Sequence, residues 1–144
     1  MKLSTRSRYG TRAMFEIAKH FDKAPVKRRE ITKAQNISNS YLENILITLK
    51  DKQLITTTRG ANGGFLLRQS PSKTSLYEIV TALEGSIAPI ECVERPAACK
   101  KSGHCVARRA WSKLHHAQSE SLKSVSLQDM LDMESEGSPA DYVI

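Results

Sequence analysis

No stretch of this 144-residue sequence approaches the ~18 consecutive apolar residues that a membrane helix requires. Charges stand at Lys2, Arg6 and Arg8, where an export signal would carry its apolar segment, so the chain is expected to be cytoplasmic and to have no membrane partner. Aromatic residues make up 6%, with a single tryptophan, Trp111. Cysteine is scarce: Cys92, Cys99 and Cys105 are the only three, and an odd number without an export signal does not make a disulfide framework. Also missing are a Gly-rich phosphate loop, a plausible catalytic pair of carboxylates and a separated His/Asp set that could orient a nucleophile. There is no internal repeat and no low-complexity segment. These absences disfavour a membrane protein, a secreted disulfide scaffold and a multidomain enzyme. The remaining composition, 40% hydrophobic and 26% charged, suits one compact domain, or one small domain with an accessory element.

Acidic residues are outnumbered, 15 against 22 Lys/Arg, and the imbalance is local. Residues 1–84 carry 15 Lys/Arg and 7 Asp/Glu, a balance of +8, whereas residues 85–144 carry 7 and 8, a balance of −1. A basic surface confined to one region favours a polyanionic partner, nucleic acid before anionic membrane. The plain alternative is a solvated face that keeps the protein soluble.

The apolar periodicity predicts a first helix over 8–21, with Met14, Ile17, Ala18 and Phe21 at helical spacing, ending before Pro25. A short helix fits Lys27 to Gln35, with Ile31 and Ala34 inward. After a turn at Asn36-Ile37-Ser38, a third helix starts near Ser38–Ser40, where Ser40 and Glu43 fit a capping box. It buries Leu42, Ile45, Leu46 and Leu49 and leaves Ser40, Glu43, Asn44 and Ile47 on the opposite side. The period changes to two over 54–68, around Gly60-Ala61-Asn62-Gly63-Gly64, whose Asn-Gly step suits a turn with positive φ; this is a β-hairpin. Ser75 and Glu78 make a further capping box ahead of Leu76, Ile79, Val80 and Leu83, in a helix ending at Gly85. Residues 85–104 follow neither period. From about Cys105 to Val125 a helix resumes, with Ala107, Trp111, Leu114, Gln118, Ser121 and Val125 spaced like a coiled-coil seam. It spans about 30 Å, longer than the preceding region needs for cover, so a partner helix is its natural use. Ser126 starts a last short helix with Leu127, Met130 and Leu131, and 134–144 is a frayed tail.

Helix, short helix, turn, helix and hairpin is the order of a winged helix-turn-helix. The expected fold is mainly α with a small β-hairpin wing: a DNA-binding head over 1–84, a cysteine-bearing loop over 85–104, and a dimerisation helix plus C-terminal helix over 105–133. The third helix would enter the major groove, with Ser38, Asn39, Ser40, Tyr41 and Glu43 towards base edges. Glu43 can accept from cytosine N4 and repels phosphate, so it would select rather than merely adhere. At the wing tip Arg59 would reach the minor groove or backbone, with Gly60, Gly63 and Gly64 allowing close approach. Arg6, Arg8, Arg12, Lys27, Arg28, Arg29 and Lys33 are candidate phosphate contacts. A winged helix serving protein interaction instead is the competing reading.

Six residues separate Cys92 from Cys99 and five separate Cys99 from Cys105, unlike the paired spacing of a zinc ribbon. Three thiolates on one loop can converge on an iron–sulfur cluster, which needs a fourth ligand or leaves one iron accessible and labile. His104, Glu91, Glu94, His115 and His116 are nearby candidates, although adjacent His115 and His116 point apart on a helix and are expected to be solvated. Reduced surface thiols, zinc, a thiol/disulfide switch or a small cysteine-dependent redox protein are the alternatives.

Together the segments Met1-Lys2-Leu3-Ser4, Arg8-Tyr9, Ala13-Met14, Ile37–Glu43 and Arg59–Leu67, the cysteine triad and Trp111 resemble the Rrf-type winged-helix transcription regulators, nearest to their iron–sulfur-assembly branch. The resemblance covers most of the chain. It implies a homodimer joined through the long helices and bound to a palindromic operator. It further implies a cluster, two-iron or four-iron, on Cys92, Cys99 and Cys105 whose state alters DNA binding. It supports Ser38, Ser40, Tyr41 and Glu43 as base-side contacts and Arg59 as the wing contact. Two positions depart from the pattern. Arg108 stands where that branch has a histidine ligand, and Arg8 stands where nitric-oxide-sensing relatives have an aspartate. The loop spacing also differs by one residue.

Overall fold

In the computed structural model, which describes residues 1–137, α1 spans Thr5–Ala18. It starts ahead of the apolar run because the Ser4 hydroxyl accepts from the Ser7 N–H and caps it. Gly10 lets α1 approach its neighbour closely: a Cβ there would stand 2.1 Å from Leu83 Cδ1.

Helix α2 covers Arg28–Gln35 and buries Ile31, but Ala34 is exposed rather than inward. The reason is Asn36. Its left-handed conformation (φ 51) turns the chain and delivers Ile37 to the core in place of Ala34. Helix α3 covers Asn39–Asp51 with Ser38 as N-cap. Ser40 is therefore a helical residue and not a cap; burial of Ile37 brings the helix start forward. The expected stripe, Leu42, Ile45, Leu46 and Leu49, is buried.

Strands β1 (Ile55–Thr58) and β2 (Gly64–Leu67) pair antiparallel, Ile55 with Leu67 and Thr58 with Gly64. The positive φ of the hairpin lies at Gly60 (φ 101), not at the Asn62-Gly63 step. Gly63 is required for space, since a Cβ would sit 2.3 Å from the Thr58 carbonyl oxygen. Val26, entering α2, bridges to Phe65, with N···O distances of 3.0 and 2.8 Å. The wing is thus tied to the start of α2.

Helix α4 (Leu76–Glu84) carries the expected capping box of Ser75 and Glu78. The segment after it forms only short turns: α5 (Glu91–Glu94) and 3-10 turns at Pro96–Ala98 and Ser102–His104. Helix α6 (Val106–Lys123) follows, and α7 (Leu127–Glu136) is capped by Ser126 as expected. The caps of α4 and α7 pair directly: the Leu76 N–H donates to Val125 O at 2.8 Å and the Leu127 N–H to Thr74 O at 2.9 Å. Leu127 joins Met14, Ile17, Leu42, Ile45 and Ile79 in one core. Residues 134–136, expected to fray, are helical, and Glu134 meets Lys19 at 2.8 Å. The rest of that tail, 138–144, lies outside the described residues.

Candidate functional site

The N-terminal end of α3 is a polar, open face. Ser38, Asn39, Ser40 and Glu43 are exposed, while Tyr41 is half-buried and braced edge-on against Tyr9, ring centroids 5.8 Å apart. Arg59 and Gly60 lie exposed in the hairpin connection. The buried stripe of α3 fixes which of its residues face out, so helix packing alone presents the exposed α3 side chains together.

The candidate phosphate contacts divide. Arg12 is engaged inside the head: its guanidinium donates to the Gln35 side chain at 2.7 Å and also to the Gln35 carbonyl, closing the end of α2 onto α1. Arg28 is paired with Glu43, Nη1 to Oε1 2.9 Å, so it faces α3. Arg6 donates to the Thr48 hydroxyl. Lys27, Arg29 and Lys33 enter no ion pair among the described residues and keep their charges available.

All three cysteines are free, Cys99 exposed and the others half-buried. Arg108 links two of them. Its backbone N–H donates to Cys105 Sγ at 3.4 Å, and its Nε–H donates to the Cys92 carbonyl at 2.7 Å. Among the described residues, no group of three or more His, Cys, Asp or Glu is placed to hold a metal ion. The donor set suits an iron–sulfur cluster in kind, three thiols on one short segment, and gathering them requires that segment to rearrange.

The other candidate ligands are spread out. His104 is exposed, Glu91 pairs with Arg95, and Glu94 accepts from the Ser86 hydroxyl at 2.7 Å. His116 is solvated as expected. His115 is not: it is half-buried, with Nε2 3.6 Å from Glu94 Oε1. The helical period places Arg108, Ser112, His115 and Ser119 on the inward face of α6, and Val106, Trp111 and Leu114 stay exposed on the other. Gln118, expected in the seam, is half-buried instead.

This head, wing and long helix recur in known proteins. The family model described as "Rrf2: Iron-dependent Transcriptional regulator" matches residues 3–133. The chain belongs to the Rrf2 family. Protein rrf2 of Nitratidesulfovibrio vulgaris is 37% identical over 131 residues, covering 91% of this chain and 87% of that protein. The solved structure of CymR, the global cysteine regulator of B. subtilis, is 32% identical with a TM-score of 0.77 over 92% of this chain and 98% of that one. That of T. potens IscR is also 32% identical, with a TM-score of 0.77 over 94% and 90%.

As a member of the Rrf2 family, the chain is a DNA-binding transcriptional regulator with a winged helix-turn-helix, and not an enzyme. Among the described residues, no helix is long and apolar enough to cross a membrane. Sequence reasoning missed the Arg28–Glu43 pair and the two hydrogen bonds of Arg108. A pair fifteen positions apart across two helices leaves no periodic signal. The Arg108 bond to the Cys92 carbonyl spans 16 positions and leaves none either.

Proposed function

We propose that this regulator acts as a homodimer on a palindromic operator and that the state of its cysteine segment sets its DNA binding. The observation that carries this reading is the placement of the segment. It is the connection between the DNA-binding head and α6, and Arg108 ties it to the N-terminus of that helix. The exposed Val106, Trp111 and Leu114 offer the apolar face on which a second α6 can rest. Two heads joined this way would place their α3 helices in major grooves about one helical turn apart, about 34–36 Å, or a multiple of it. Ser38, Asn39, Ser40, Tyr41 and Glu43 then face base edges, and Arg59 and Gly60 face the backbone or minor groove.

Cys92, Cys99 and Cys105 would hold an iron–sulfur cluster, two-iron or four-iron. When bound it supplies an iron site open to oxidants and to loss. The chain's own part is to exchange one arrangement of residues 85–104 for another. In the arrangement seen here Arg108 holds the Cys92 carbonyl and Cys105 Sγ. Releasing them frees the connection between head and α6, and a change of a few ångströms in head spacing is enough to alter fit to two half-sites.

Three free thiols with no metal-holding group formed among the described residues leave a second reading, in which a thiol/disulfide or zinc switch works the same connection after the same rearrangement. Protein isolated without oxygen decides between them by its absorption spectrum and its iron and acid-labile sulfide content. The cluster reading expects iron and sulfide in near-equal amounts, and operator titrations that differ between loaded and stripped protein. Colourless protein that resists reconstitution sinks it. Identical titrations of the two forms remove the control by cofactor state.

A further inference from the structure

The ion pair between Arg28 and Glu43 crosses the helix-turn-helix itself. Arg28 is the first residue of α2, and Glu43 lies on the exposed face of α3. Their side chains remain 37% and 53% exposed, and a pair this open contributes little to stability. Its geometry is nevertheless built. The Val26–Phe65 bridge fixes the backbone just before Arg28, and Gly64 permits it, since a Cβ there would stand 2.5 Å from the Val26 carbonyl oxygen. The Glu30 carboxylate accepts from the Lys27 N–H at 2.6 Å and holds the first turn of α2. The pair borders a concavity between α3 and the wing, lined also by Ile47, Lys50, Thr57 and Phe65. Arg28 therefore leaves from a point set by the wing and ends at the one carboxylate among the expected base contacts.

We propose that Arg28 is a positioning residue for base selection: by pairing with Glu43 it screens that carboxylate and widens the set of bases the recognition helix accepts. This rests on the reading that Glu43 faces bases. An unpaired carboxylate in the major groove accepts from the amino groups of cytosine or adenine and is repelled by the oxygens of guanine or thymine and by phosphate. A guanidinium on one of its oxygens reduces the repulsion and leaves the other oxygen free to accept. Removing Arg28 therefore costs little on duplexes that offer an amino group at that position and much on those that do not.

The test uses the full chain and a randomised duplex library. Enriched sequences locate the base pair whose identity depends on residue 43, by comparison of the native protein with Glu43→Gln. Titrations at one fixed salt concentration then follow duplexes differing only at that pair. Arg28→Leu is expected to increase the preference for amino-bearing over carbonyl-bearing bases by on the order of tenfold. Arg28→Lys is expected to restore part of the native ratio, and in the Glu43→Gln background Arg28→Leu is expected to leave the ratio unchanged. If Arg28→Leu weakens all duplexes equally, in both backgrounds, Arg28 is a phosphate contact and the proposal is overturned. If Glu43→Gln alone changes preference at no position, the base-facing role of Glu43 falls first, and the proposal with it.

Discussion

In the head, residues far apart in sequence meet. Gly10 lies against Leu83, Val26 pairs with Phe65, and Leu127 shares a core with Met14 and Ile79. Between Gly85 and His104, the hydrogen bonds are local. Ser86 reaches Glu94, Ser102 reaches Pro96, and the backbone bonds close single turns. Ile87 is the only buried residue of that stretch. Its polar contacts to the rest of the chain run through Arg108 and His115 of α6. Two segments of one chain thus differ in what holds them. The head is held by burial that many residues share, and the cysteine segment by a few polar contacts that single events can exchange. A region that must change state is best built in the second way.

The widest separation between the two regions should appear in stability. Ile45 is fully buried at the centre of the head, and Ile45→Ala should cost about 2–5 kcal/mol, a large share of the ~5–15 kcal/mol typical of a domain. Ile90→Ala, at an exposed position of the segment, should cost about 0.5 kcal/mol or less. Denaturant unfolding of the two variants measures both. Equal losses would mean that residues 85–104 fold as part of the head's cooperative unit, and the contrast drawn above would fail.

Arg108→Ala sharpens the comparison from the side of the segment. It removes the Nε–H bond to the Cys92 carbonyl and retains the backbone N–H that caps onto Cys105 Sγ. The expected result is severalfold faster alkylation of Cys92 by iodoacetamide, measured by mass spectrometry of the modified peptide, with the melting temperature almost unchanged. Cys99, already exposed, serves as the internal reference and should react at the same rate in both proteins. Unchanged alkylation at Cys92 would show that Arg108 does not hold the segment.

Much of the head was legible because its signals are local. Leu42, Ile45, Leu46 and Leu49 repeat at the helical period, and Ser75-Leu76-Tyr77-Glu78 closes a capping box within four residues. The change of period around Gly60–Gly64 marks the wing. Readings failed where tertiary placement overrode a local pattern. Ala34 sits at helical spacing from Ile31, yet the left-handed Asn36 hands its place to Ile37. Ser40 and Glu43 have capping-box spacing, yet the helix has already begun at Asn39, which leaves Glu43 free to meet Arg28. His115 looked solvated beside His116, and only the packing of α5 on α6 brings Glu94 to it. The polar face at the start of α3 was readable as a set. Which of the nearby cations are free and which are engaged was not, because Arg12 and Arg28 take their partners from other elements.

The smallest effect concerns the seam between α4 and α7, where the head closes. Asp129 accepts from the Ser126 hydroxyl at 2.6 Å and from the Ser126 N–H at 2.7 Å, and these two bonds, the hydroxyl first, hold its carboxyl below the usual range. A group whose folded-state pKa is depressed adds stability at pH values above its unfolded pKa, and that contribution disappears as pH falls through the folded value. Asp129→Asn keeps an acceptor at the cap without the charge. Native protein should therefore melt slightly above the variant at pH 7, and the two should converge as the pH is lowered past about 4, the ordinary aspartate range. Because Asp129 is fully exposed, the gap should be small and should shrink further in high salt. Paired melts from pH 7 to pH 3 check this, with the difference between the proteins cancelling the titration of every other carboxylate. A gap that stays constant over that range would mean the cap works through its shape alone, with no contribution from the charge.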